Sequence, residues 1–196
     1  VSMKSLRLVL CALPLVLTGC STLSSITSIN WSAAYPWNWF GSSTEVTDQG
    51  VGNITAATAL DQDAIESALG SGYRLRSGMK TENGNIVRYF EALKDDKLAM
   101  VINGDKGTVN RIDVMDSEIE TDTGVKVGTP FSELYQKAFG NCTSAVAEEK
   151  VAVECKADGR QHISYLFTGE WSGPEGLMPS DDTLKNWKIS KIIWKQ

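Results

Sequence analysis

A single histidine in 196 residues is the sharpest shortage in this sequence. Zinc sites draw on several histidines and cysteines together, and a serine–histidine–acid triad needs its imidazole beside a nucleophile. His162 has no second soft ligand near it, and no Gly-x-Ser-x-Gly elbow presents a serine. Both chemistries are therefore set aside. The four cysteines include no Cys-x-x-Cys spacing, which removes the pattern of a redox-active pair. Lys and Arg form no cluster, and the formal net charge is −5. An acidic chain gains nothing from counterion release at phosphates, so no nucleic acid partner is expected. The same charge opposes binding of the folded domain to anionic headgroups. The longest apolar run, residues 8–17, is too short for a permanent membrane helix.

That short run has a different meaning. Lys4 and Arg7 precede it, and Leu17-Thr18-Gly19-Cys20 closes it. A positive end, an apolar segment and small residues before a cysteine make a secretory leader with a lipobox. Cys20 is the expected lipidation site, which makes residues 1–19 a removable signal peptide. Ser21 follows the cysteine, where an aspartate would mark inner-membrane retention, so the expected address is the outer membrane with the domain facing the periplasm. Several acyl chains, as on a mature lipoprotein, anchor stably where one does so only marginally.

Residues 20–43 read as a tether, rich in Ser, Thr and Asn. Trp31, Tyr35, Trp37, Trp39 and Phe40 are unusual in such a segment. Their amphipathic rings suit the headgroup boundary. Docking on the folded domain explains them equally well, with a glycan or peptide site as a third reading.

The rest, residues 44–196, is one domain's worth of chain, with a hydrophobic content of 42% over the whole sequence that suffices for a core. Residues 45–54 suggest a short strand with glycine at bulge or turn positions. Asp61 caps an amphipathic helix that carries Ala64, Ile65, Ala68 and Leu69 on one face and stops at Gly70. Four alternating segments follow, near residues 73–79, 86–93, 98–103 and 108–114. Polar turns such as Asn83-Gly84 and Asp105-Lys106-Gly107 join them, so an antiparallel meander is expected. A second helix is expected over residues 130–139, capped by Thr129, started by Pro130 and ended at Gly140, with Phe131, Leu134, Tyr135, Ala138 and Phe139 buried. An Ala/Glu-rich turn after Cys142, a hairpin over residues 151–167, a helical turn near Ser180 and a last strand over residues 188–194 complete the domain.

Once Cys11 leaves with the leader and Cys20 carries lipid, Cys142 and Cys155 remain, and in an oxidising compartment they are expected to pair. Two reduced structural cysteines are the alternative. Asp113, Asp116, Glu118, Glu120 and Asp122 form an acidic stretch without the ligand order of an EF-hand, so a solvated loop is expected there rather than a metal site. The Gly/Pro-rich loop at residues 171–179 holds the remaining ligand-binding candidates. They are Trp171, Glu175 and Met178. Trp171, flanked by Glu170 or Glu175, could stack on a sugar. A carboxylate pair for glycan hydrolysis is the least favoured reading, and a turn with a Trp lid on the core is the plainer account.

Trp37-Asn38-Trp39-Phe40-Gly41, Gly128-Thr129-Pro130-Phe131-Ser132, Asn141-Cys142, Glu154-Cys155-Lys156 and the long segment from Gly173 through Asp182 together resemble the enterobacterial sigma-E (RpoE)-regulated outer-membrane lipoprotein family. The resemblance runs over essentially the whole chain from Met3. It implies an outer-membrane lipoprotein made under envelope stress and supplies no catalytic residues. The expected architecture is a single α+β domain, with a largely antiparallel sheet of about seven strands and two principal helices. The expected function is non-enzymatic binding or support of another envelope component, with a glycan, peptidoglycan or small-ligand module as the alternative. No catalytic residue, metal or cofactor is assigned.

Overall fold

The computed structural model describes residues 44–196. The leader, Cys20 and the aromatic segment up to residue 43 lie outside the described residues. Three very short strands come first: β1 (Glu45–Thr47), β2 (Gly50–Val51) and β3 (Ile54–Thr55). After helix α1 (Gln62–Leu69) the chain runs through β4 (Arg74–Glu82), β5 (Asn85–Lys94), β6 (Lys97–Asp105) and β7 (Thr108–Val114). Next are β8 (Glu120–Thr121) and the single-turn helix α2 (Phe131–Leu134). The last strands are β9 (Cys142–Ala147), β10 (Lys150–Lys156), β11 (Ile163–Thr168) and β12 (Lys188–Lys195), with helix α3 (Asp181–Leu184) before β12.

The strands form two sheets, one of four in the order β3-β2-β1-β8 and one of eight in the order β4-β5-β6-β7-β12-β11-β10-β9. The α+β expectation is overturned. Among the described residues helix is confined to elements of eight, four and four residues, and the domain is mostly β. Twelve strands in two sheets replace the expected single sheet of about seven, because short segments between the expected strands find pairing partners of their own. Only α1 of the two principal helices forms as expected: the Asp61 side chain accepts from the Ala64 N–H, and the chain turns off at Gly70.

The second expected helix stops at Leu134 because tertiary contacts outweigh its local propensity. Tyr135 adopts extended backbone, and its hydroxyl donates to the Lys156 carbonyl at 2.5 Å. Its ring packs with Phe131 and Phe167. Three residues on, the Asp181 carboxylate accepts the Ala138 N–H at 2.8 Å. Phe139, expected in the buried stripe, is 86% exposed. Thr129 does not cap; its hydroxyl turns back to the Lys126 carbonyl, and Pro130 holds the cap position without a side-chain bond.

The large sheet is two meanders of four strands, each preceded by a helix and joined last strand to last strand, β7 against β12. The first meander follows the expected segments closely. Asn83-Gly84, Asp95-Asp96 and Lys106-Gly107 all have positive φ, the backbone of two-residue turns whose twist matches the strands they join. Glu148-Glu149 makes a fourth such turn. It converts a segment expected to be a turn into the edge strand β9.

One face of the large sheet is the core. Phe90, Met100, Ile102, Ile112, Val153, Tyr165, Phe167, Ile192 and Trp194 are buried on it. Val46, Val51 and Ile54 of the small sheet and Ile65 of α1 join the same cluster. Asp48, just after β1, ties the two sheets together. Its carboxylate accepts the backbone N–H of His162 at 2.9 Å and of Gln161 at 3.2 Å, and its carbonyl accepts the Trp194 Nε1–H at 3.0 Å.

Burial alone would raise the pKa of Asp48, but the two backbone donors and the positive charge nearby outweigh it and hold the carboxyl below its usual value. A depressed folded-state pKa contributes stability above the unfolded value of about 3.9, and that contribution is lost as pH falls through the folded pKa. Asp48→Ala is expected to cost about 1–2 kcal/mol at neutral pH, the scale of hydrogen bonds to a charged acceptor. The gap between the variant and the parent should then shrink as pH falls below about 4. Urea unfolding from pH 7 to pH 3 checks both; a gap that widens in acid would refute this role for Asp48.

Candidate functional site

The second face of the large sheet carries the charges. Side chains alternate along each strand, so the register that points Trp194 and Ile192 into the core points Lys195 and Lys191 the other way. Lys195 lies opposite Arg111 of β7. On the neighbouring strands the same face presents Ser164 and Glu154.

Lys195, Ser164 and Glu154 border a cleft of about 410 Å³, lined also by Lys156, His162 and the disulfide residue Cys142. Glu154 is its centre: Ser164 Oγ donates to Glu154 Oε1 at 2.7 Å, and Lys195 Nζ reaches the same oxygen at 2.5 Å. Burial acts to raise the Glu154 pKa, but the bonds from Lys195 and Ser164, with the charges of Lys195 and Arg111, prevail and hold the carboxyl below its usual range. Arg111 in turn donates from Nε to Asp113 Oδ1 at 2.8 Å. Two ion pairs therefore lie side by side on this face, Glu154 with Lys195 and Asp113 with Arg111, and their cations face each other across β12 and β7.

This arrangement suits recognition of a polar ligand better than nucleophilic attack. The Ser164 proton is directed to Glu154, so Ser164 is not paired with the imidazole. His162 Nδ1 lies 2.9 Å from the Lys195 carbonyl oxygen, and since a carbonyl only accepts, Nδ1 carries the proton. A second groove of about 610 Å³ adjoins the cleft through Lys195 and runs toward Lys80 and Glu82 on β4.

Of the residues singled out from the sequence, Cys142 and Cys155 form a disulfide with S–S 2.04 Å, between directly opposed positions of β9 and β10. Trp171 is half-buried and packs against the core; its ring lies so close over Gly173 that a Cβ there would come within 2.0 Å. Glu175 is exposed and Met178 sits at the exposed margin. None of the three borders the two clefts just described. The acidic stretch is divided among separate cations: Asp113 with Arg111, Glu118 with Lys94, Glu120 with Lys126 and Asp122 with Arg160. Among the described residues no group of three or more acidic, histidine or cysteine side chains is placed to hold a metal ion.

Glu154, Ser164, Lys195 and Arg111 carry no motif in the linear sequence. They come from separate strands, and only alternation hints that they face away from the core. Their meeting depends on the β7–β12 and β10–β11–β12 registers.

Fold and cleft together define a two-sheet β domain with a charged, internally paired sheet face. The chain belongs to the family described as protein of unknown function DUF1131, whose model matches residues 28–196. It is 70% identical over 194 residues to the uncharacterized protein YfeY of Escherichia coli strain K12, covering 99% of this chain and all of that one. The crystal structure of the uncharacterized protein yfeY from Escherichia coli superposes with a TM-score of 0.71 at 67% identity, over 78% of this chain and all of that one.

Proposed function

We propose that this protein is an outer-membrane-anchored periplasmic lipoprotein of the sigma-E envelope stress response, and that it binds or supports another envelope component without catalysing a reaction. Leu17-Thr18-Gly19-Cys20 and Ser21 support the anchor and the address. The Cys142–Cys155 disulfide suits an oxidising compartment. The single observation that carries the non-catalytic reading is the engagement of Glu154 by both Ser164 and Lys195. The most chemically endowed cleft thereby spends its carboxylate and hydroxyl on each other. Paired charges on one face of the sheet favour orienting a polar partner.

Photo-crosslinking in cells tests this. Probes placed at Asn103 and Lys191, on the charged face, should capture the same envelope protein, while a probe at Asp63 on α1 should not. If neither captures a protein and peptidoglycan fragments instead shift NMR signals near Trp171 or Glu154, the glycan-binding alternative replaces this reading.

A further inference from the structure

Strand β4 ends the large sheet, and among the described residues its only backbone partner is β5. Its nine residues pair with β5 without a register shift, and it contains no proline. Beyond Tyr89, the β4–β5 hairpin projects past β6. Met79 and Ile86, on this projection, are 66% and 75% exposed. A long, regular edge is the kind that natural proteins normally blunt.

The turn defines which peptide groups are free. Glu82 and Asn85 flank a two-residue turn and so form a hydrogen-bonded pair. Alternation then directs the peptide groups of Gly78, Arg76 and Arg74 toward β5 as well, and those of Leu75, Ser77, Met79 and Thr81 outward. Charges on the strand follow a matching pattern: Arg76 and Glu82 stand three residues either side of Met79.

We infer that β4 pairs antiparallel with β4 of a second copy of this chain, about a two-fold axis at Met79. This register joins outward peptide groups only, Met79 to the partner's Met79 and Ser77 to the partner's Thr81. It sets Arg76 opposite the partner's Glu82 at both ends and brings the exposed Met79 side chains together. Arg76 already donates from Nε to Glu91 at 2.6 Å, and Glu82 lies 3.4 Å from Lys80. Pairing therefore extends a row in which Glu91, Arg76, the partner's Glu82 and the partner's Lys80 alternate in sign. Moving the axis one residue to Lys80 would oppose two lysines. Moving it to Gly78 would set Arg76 against the partner's Lys80. Such an isologous contact closes on itself and stops at a dimer.

The inference stands apart from what the charged face binds and is tested separately. In cells making the full chain, Met79→Cys should give a disulfide-linked dimer on a non-reducing gel, in clear excess over Val146→Cys on the opposite edge strand, where Val146 is 76% exposed. In the Met79→Cys background, Glu82→Arg should lower the linked fraction about tenfold, since it opposes like charges at both ends. Adding Arg76→Glu to it should restore linking, because each introduced arginine then meets a carboxylate introduced on the partner. Protease resistance verifies that each variant is folded. The pairing is overturned if Met79→Cys links no better than Val146→Cys, if Glu82→Arg has no effect, or if the folded charge-swapped chain stays unlinked.

Discussion

Trp194→Ala is expected to lower the unfolding free energy by about 3–5 kcal/mol, the scale for emptying a buried aromatic site. Trp194 has no exposed surface and lies in β12, opposite Ile112 of β7 on one side and Ile163 of β11 on the other. The cavity would therefore open at the seam between the two meanders, where the long registers on both sides resist collapse. The indole N–H that reaches the Asp48 carbonyl is lost as well, leaving that carbonyl without its donor. A domain of this size has about 5–15 kcal/mol in total, so the variant forfeits a large share. Trp194→Phe keeps most of the volume and should cost about 1–2 kcal/mol through the lost hydrogen bond and imperfect fill. Urea unfolding followed by far-UV circular dichroism separates the two. A Trp194→Ala loss below about 1 kcal/mol would contradict the seam's role in the core.

Cys20→Ser is expected to abolish lipid attachment altogether, because the acceptor must be a thiol to form the thioether and a serine hydroxyl is a far weaker nucleophile. Metabolic labelling with an alkyne fatty acid should mark the parent chain and leave the variant blank, and the variant should be absent from the outer-membrane fraction. Ser21→Asp should retain the label and shift the chain to the inner-membrane fraction. Equal labelling of Cys20→Ser and the parent would remove the anchor from the proposed function, and the dimer inference would be untouched.

Much of the fold was legible from short-range signals. The first meander follows from alternation broken by turn residues, and three of its segments are closed by two-residue turns with positive φ. Helix α1 follows from its cap at Asp61 and its stop at Gly70. Cys142 and Cys155, whose pairing is an expectation of the sequence, form a disulfide across β9 and β10. In each case the responsible residues lie within about a dozen positions of one another, where local propensity and loop closure dominate.

The failures share a cause of the opposite kind. Residues 130–139 carry every local mark of a helix, yet Tyr135 gains more from Lys156 and Phe167 than from another helical turn. Residues 143–150 look like a polar turn, but β10 offers them a ladder of hydrogen bonds. The count of strands and the excess of β over α followed from such pairings, which no window of sequence contains.

By itself the sequence determined the meander and the first helix and raised the pairing of the two late cysteines as an expectation, since periodicity, capping and turn chemistry act between near neighbours. Only the tertiary structure decided the β7–β12 seam, the Asp48–Trp194 link across 146 positions and the meeting of Glu154 with Lys195 across 41. Those contacts form because two meanders with one apolar face each must bury it against the same core. The register that accomplishes this carries the charged face with it and sets β4 at the end of the large sheet among the described residues.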